Sequence, residues 1–295
     1  MFKDLEQQII QSLRKNRDWI GDDTVKINKN QIVSTDSFIE GVHFTPSIFS
    51  PYNIGYKALA SALSDIAASA GKPTWYFLNL GIKKNQTRKE INDIFRGLQY
   101  LERKYSVKLL GGDTARSPFL FLSITVGGTA KKPITRCGAK KGDKIYLTGN
   151  IGGAIFGFIA LQKKIKSTIT KYHLTPEIRC EEALKLNRKY RINSMIDISD
   201  GLLIDSNHIS EESGKKLNIN LKEIPICPEC KKFAEKYSLD LKENILTSGE
   251  EFELLFTSPD NIKEKFAHKI GYVSSGKGVY IDGKLTPPRG YRHFE

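Results

Sequence analysis

Ser194-Met195-Ile196-Asp197-Ile198-Ser199-Asp200-Gly201-Leu202 is the stretch that decides the fold. A short apolar run over 194–198 enters a turn of Ser, Asp and Gly, and residues 202–213 then continue as a helix. The unit is a strand, a carboxylate-bearing turn and a helix, the repeating step of an α/β chain. Asp is depleted inside strands, and a charge beside a buried strand is costly unless it is paired or bound to a cation. A single Asp in such a place is a turn or a helix cap.

Working outward, the same device recurs. Residues 31–36 read as a strand ending Ser34-Thr35-Asp36, and residues 107–110 as a strand running into Gly111-Gly112-Asp113-Thr114. Asp65 sits in Ser64-Asp65-Ile66-Ala67, inside a helix over 53–70 marked by Ile54, Ala58, Leu59, Ala62, Leu63, Ile66, Ala67 and Ala70 at helical spacing. Gly21-Asp22-Asp23-Thr24 opens the series; Asp22 reads as a cap of the following segment. Strands are expected at 74–81, 119–129, 144–148 and 253–258, and helices at 88–105 and 154–163. The basic, Gly-containing stretch 135–143 reads as a linker between two halves. At 295 residues the chain suits two domains of about 100–200 residues each.

Five acidic segments point to carboxylates converging on one place, and Mg2+ explains such a set. It takes hard oxygen ligands, typically one or two carboxylates together with phosphate oxygens and water. Gly111-Gly112 and the turn 149–153 let backbone approach a phosphate closely. The chain has no GxxxxGK[ST], GxGxxG, HRD or DFG, which excludes a P-loop enzyme, a Rossmann dinucleotide enzyme and a protein kinase.

Composition narrows the rest. Hydrophobic residues make up 39% and charged residues 27%, a soluble globular balance. No apolar run reaches the roughly 18 residues of a membrane span, and the charged start Met1-Phe2-Lys3-Asp4 has no apolar leader, so a cytoplasmic protein is expected. The net charge of +13 (46 basic against 33 acidic) is spread along the chain without an aromatic-interleaved basic stripe, which speaks against nucleic acid. Of Cys137, Cys180, Cys227 and Cys230, the last two form a lone CxxC, short of the four ligands of a structural zinc site. His173, His208, His268 and His293 show no partner pattern and read as structural. Asp205 reads as a solvent-facing residue of the helix after Gly201.

Taken together, GDD (21–23), STD (34–36) followed by His43, SDIAA (64–68), GGDT (111–114), TRxGAKxGD (135–143), IDISDG (196–201) and GYxHF (290–294) resemble the thiamine-monophosphate kinases, within the superfamily of aminoimidazole-ribonucleotide synthetase. The match runs in order over nearly the whole chain. The resemblance implies a two-domain α/β (α+β) fold. An N-terminal ATP/Mg-binding and dimerisation domain, residues 1–137, would carry a mixed sheet forming a barrel shared across a homodimer. Residues 138–295 would form an α/β C-terminal domain. It also implies direct in-line phosphoryl transfer from ATP to thiamine monophosphate with several Mg2+ ions, and no nucleic-acid or membrane partner. By motif it implies metal ligands at Asp23, Ser34, Thr35, Asp36, Asp65, Asp113, Asp197 and Asp200. It implies ATP contacts at Gly112, Asp113, Arg136 and Ser199, and substrate contacts at His43, Glu250 and Tyr291.

Three segments depart from the family pattern. GGEDYEL reads Ser248-Gly249-Glu250-Glu251-Phe252-Glu253-Leu254, Gly-Asp-Ser after the strand at 144–148 reads Gly152-Gly153-Ala154, and Cys227-Pro228-Glu229-Cys230 replaces a Ser-Pro loop. The alternative is another ATP-using enzyme of the superfamily. Selenophosphate synthetases carry a Cys or Sec early in the chain, hydrogenase-maturation relatives end in Cys, and this chain does neither. A non-catalytic nucleotide- or nucleic-acid-binding relative would have lost several of the acids, and here they stand.

Overall fold

A computed structural model of the chain describes residues 5–15 and 19–293. The extreme N-terminus and Phe294 of the closing GYxHF motif lie outside them. Helix α1 (Leu5–Arg14) precedes a five-stranded mixed sheet with the order β1 (Val25–Lys26), β2 (Gln31–Ile39), β5 (Phe121–Thr129), β3 (Lys72–Ile82), β4 (Lys108–Arg116). Neighbours are antiparallel except β3 and β4, which run parallel. Helices α2 (Pro51–Ala68) and α3 (Arg88–Tyr105) cover one face.

Each helix is started by its sequence. Ser50 accepts the Asn53 N–H ahead of Pro51, and Thr87 with Glu90 forms a full capping box. The two helices touch through glycines: a Cβ on Gly55 would lie 2.0 Å from the Ile94 carbonyl oxygen, and one on Gly97 2.1 Å from that of Tyr52.

The second sheet has the order β12 (Lys284–Thr286), β11 (Gly278–Ile281), β8 (Lys215–Ile219), β10 (Ala267–Ser275), β6 (Lys144–Thr148), β9 (Leu254–Ser258), β7 (Ser194–Asp197). It is antiparallel apart from the β8–β11 pair. Helices α4 (Gly153–Gln162), α5 (Thr170–Leu174), α6 (Cys180–Lys189), α7 (Leu202–Ser213), α8 (Pro228–Lys236) and α9 (Leu241–Thr247) flank it.

The halves are joined by packing as well as by chain. One core cluster unites Leu59, Leu63 and Ile66 of α2 with Ala183 and Leu186 of α6, Met195 of β7 and Phe256 of β9. A second cluster fills the C-terminal half alone and takes in the buried thiols Cys227 and Cys230. The α2 helix is thus buried on both sides: against its own sheet and against the second half. Among the described residues no helix is long and apolar enough to cross a membrane.

The other face of the first sheet is bare. Thr35, Phe77 and Gly111 share one cross-strand row, and Ser37, Asn79 and Asp113 share the next on the same side. Phe77 is 42% exposed and Leu110, an extra residue bulged into β4, 57%. Beyond β4 no described strand pairs with its outer edge.

Candidate active site

Alternation along β2 turns Ser34 and Asp36 toward α2, on the side of buried Ile32 and Phe38. The Ser34 hydroxyl donates to Asp65 Oδ2 at 2.5 Å. Its helical neighbour Ser64 donates to Asp197 Oδ2, also at 2.5 Å, across the boundary between the halves. Asp23 arrives from the loop before β1. Carboxylate oxygens of Asp23, Asp65 and Asp197 lie within 4.8 Å of one another.

Three acids this close repel, and burial leaves the charge little water. Burial first, then Asp197, Asp36 and Asp23, push the Asp65 carboxyl well above its ordinary value. Burial and then Asp23 push Asp197 up to about 7. Arg136 supplies one counter-charge, with Nη2 at 2.5 Å and Nε at 3.1 Å from Asp23 Oδ1. The other oxygen, Asp23 Oδ2, is buried with no hydrogen-bond partner among the described residues. A converging set of hard oxygens with an orphaned carboxylate lone pair is a donor set that fits Mg2+. Asp22 accepts the N–H of the next residue, Asp23, at 3.0 Å, and also reaches across to accept the Arg136 backbone N–H at 3.2 Å; burial and Asp23 raise it to about 6.

Asp200 stands on the turn after β7, and Asp205 corrects the sequence reading. It does not face solvent: it is 1% exposed, and its Oδ2 accepts the N–H of Gly201 at 3.0 Å and of Asp200 at 3.3 Å. It ties the acidic turn to α7. Its carboxylate, with that of Asp200 and a ring nitrogen of His208, forms a second close group.

A cavity of about 570 Å³ opens on these acids. Asp36, Asp65, Asp197, Ser199 and Asp200 line it together with the rings of His43, Phe49, Phe158, His173, Tyr291 and His293. Loop 248–253 closes its wall, held by Glu250 N–H to Ser199 O at 2.7 Å and by Phe252 N–H to Ile198 O at 2.9 Å. Both residues take left-handed backbone, Glu250 at φ +58° and Phe252 at +53°, a strain of about 1–3 kcal/mol each that the surrounding bonds must sustain. His43 accepts the Ile39 N–H on Nδ1 at 3.1 Å and sits 5.4 Å, ring to ring, from His293, which in turn lies 5.0 Å from Tyr291.

The structure therefore gathers Asp36, Asp65, Asp197, Ser199, Asp200, His43, Glu250 and Tyr291 round one cavity, with Asp23 and Ser34 against its acids and Arg136 on Asp23. It sets two others apart. The Thr35 hydroxyl meets Thr125 at 3.3 Å on the bare face of the sheet, and Asp113 is exposed on that same face of β4. At Gly112 a Cβ would lie 1.8 Å from the Leu78 carbonyl oxygen, so the glycine serves the β3–β4 approach. The residue that reading by motif misses is Lys57, wholly buried on α2 with Nζ 2.6 Å from Glu250 Oε2. Its signal was present: a lone lysine within a helix of small and apolar residues.

The two altered loops answer one another. α4 begins at Gly152 with no side-chain cap of its own, and Glu251 Oε1 accepts the N–H of Gly152 at 2.8 Å and of Ala154 at 3.2 Å. Ser248 donates to the same oxygen.

Comparison with known proteins gives the family of the chain. Residues 21–130 match the model of the AIR synthase related protein N-terminal domain, and residues 140–284 that of its C-terminal domain. The thiamine-monophosphate kinase of Aquifex aeolicus is 32% identical, with 93% of this chain and 92% of that one aligned. That of Buchnera aphidicola subsp. Schizaphis graminum is 38% identical, over 93% and 92%. The solved structure of AaThiL complexed with AMPPCP and TMP superposes with a TM-score of 0.92 at 30% identity, covering 98% of this chain and 96% of that one.

Proposed function

The chain belongs to the thiamine-monophosphate kinases of the AIR synthase related family, and from that premise we propose that it phosphorylates thiamine monophosphate with ATP, as a cytoplasmic homodimer. An oxygen of the acceptor's phosphate attacks the terminal phosphorus of ATP in line. The bond to ADP breaks, and thiamine diphosphate leaves. The observation that carries this reading is the one cavity whose lining joins a cluster of acids to a set of aromatic rings.

The acids cannot face a polyphosphate unaided. Asp23, Asp65 and Asp197, with Asp36, Asp200 and Ser34 beside them, would hold Mg2+, which supplies neutralisation of phosphate charge. The chain's own work is positional. Asp205 fixes the turn bearing Asp200, Ser34 and Ser64 fix the rotamers of Asp65 and Asp197, and Arg136 balances Asp23. His43, Tyr291 and Glu250 offer flat rings and a carboxylate to a flat, cationic acceptor. Barrel formation by two copies is supported by the bare sheet face and the free edge of β4. On this reading Thr35 and Asp113 act from that face, Gly112 and Arg136 contact ATP, and residues 1–137 form the N-terminal unit.

Purified protein incubated with ATP, Mg2+ and thiamine monophosphate is expected to yield thiamine diphosphate by chromatography. The diphosphate should disappear without Mg2+ and fall at least about 100-fold in Asp65→Asn. Wild-type protein that binds ATP yet makes no diphosphate would refute the assignment.

A further inference from the structure

Lys57 is 0% exposed, on the face of α2 between the two halves of the chain. An ammonium taken from water at such a site costs several kcal/mol unless it is paired and hydrogen-bonded. Its Nζ reaches Glu250 Oε2 at 2.6 Å and His173 Nδ1 at 3.4 Å, and the Phe49 ring centroid at 5.3 Å.

The protons can be placed. Burial first, and then the charge of Lys57, push His173 down to about 2, so the imidazole is neutral. An ammonium only donates, so Nδ1 accepts and Nε2 carries the proton. Nε2 is buried with no partner among the described residues. The 3.5 Å approach of His173 to Glu250 is therefore no ion pair. Among the described residues the ion-pair partner of Glu250 is Lys57, whose ammonium burial disfavours and Glu250 supports.

Glu250 itself is held at three points: a left-handed backbone, the bond from its N–H to Ser199, and Lys57 on Oε2. Its side chain retains 33% exposure and lines the cavity. Resting on the functional reading above, we propose that Lys57 is a positioning residue for the acceptor. It fixes the Glu250 carboxylate so that this group accepts from the one N–H donor of thiamine monophosphate, the amino group of its pyrimidine ring. A carboxylate held by a rigid, buried partner discriminates an amino group from a hydroxyl or a hydrogen by position, because a misplaced donor leaves it unpaired.

The test uses the full chain in four forms: wild type, Lys57→Met, Glu250→Gln and the double variant. Steady-state kinetics are run with thiamine monophosphate and with its analogue bearing hydroxyl in place of the ring amino group. Each single change is expected to raise KM for thiamine monophosphate about 10- to 100-fold, the worth of one hydrogen bond to a charged group. KM for ATP should stay within about twofold, and preference for the amino form should collapse. Because Lys57 acts through Glu250, the double variant should be no worse than Glu250→Gln alone. Multiplied losses in the double variant, or unchanged amino preference in Lys57→Met, would overturn the proposal while leaving the kinase reading intact. Wild-type protein without turnover of thiamine monophosphate would sink both. Should Lys57→Met not fold, Lys57→Arg keeps the charge and moves it, and an unaltered KM and amino preference in that variant would count equally against the idea.

Discussion

At the residue scale, Asp65 and Asp197 bind protons more readily in the folded chain than outside it. An unfolded carboxylate titrates near 4, while burial holds Asp197 up to about 7 and Glu251 up to about 8. A raised folded value contributes stability that is complete below the unfolded value and lost as pH rises through the folded one. His173 and His208, pushed down to about 2 and about 4 by burial, act in the opposite sense, but only below about 6.5, where the unfolded imidazole gains its proton. Metal-stripped protein is therefore expected to lose melting temperature between pH 6.5 and 8. Millimolar Mg2+ should restore more of it at pH 8 than at pH 6.5. Scanning calorimetry with and without chelator checks this, and equal gains at both pH values would contradict it. Most of these acids were readable because Asp beside a strand is anomalous wherever it occurs. The burial of Asp205 was not, and Lys57, though anomalous in an apolar helix, did not disclose its partner, because a helix position reveals its neighbours only after the two halves pack.

At the element scale, Glu251 stands in for the missing cap of α4. Glu251→Asp shortens the arm and frees two N–H groups of the first turn. A loss of about 1–2 kcal/mol is expected, as for a deleted helix cap, read as a lower urea midpoint at unchanged slope. Elements with a strong local period were legible: residues 88–105, 144–148 and 202–213 fold as read. The strand at 107–110 runs on through both glycines to Arg116, because β3 supplies a parallel partner along its length, something no local pattern encodes. β10 and β11 likewise owe their pairing to distant β8 and β6. The two loops that break the family pattern looked like separate losses in sequence, and only the structure shows one bonding to the other.

At the scale of the whole molecule, the first sheet has one face packed and one bare, with Phe77, Leu109 and Leu110 exposed and β4 unpaired at its rim. An unprotected edge of this kind invites a second chain. Sedimentation should give twice the 33.3 kDa of a single copy, and Leu110→Glu should shift the protein to the single-copy mass without lowering its helix content. A wild type that sediments as one copy would count against the barrel. The chain's second junction is internal, and α2 makes it. From that one helix Lys57 engages the loop at Glu250, and Ser64 and Asp65 engage the acids around Asp197. Eight residues separate Lys57 from Asp65, about 12 Å at the helical rise of 1.5 Å per residue. A hydrogen-bonded helix cannot stretch, so on the proposed placement of the acceptor α2 would be a ruler laid alongside it: one mark would read its ring, the other its phosphate, and molecules of the wrong length would fall between the marks.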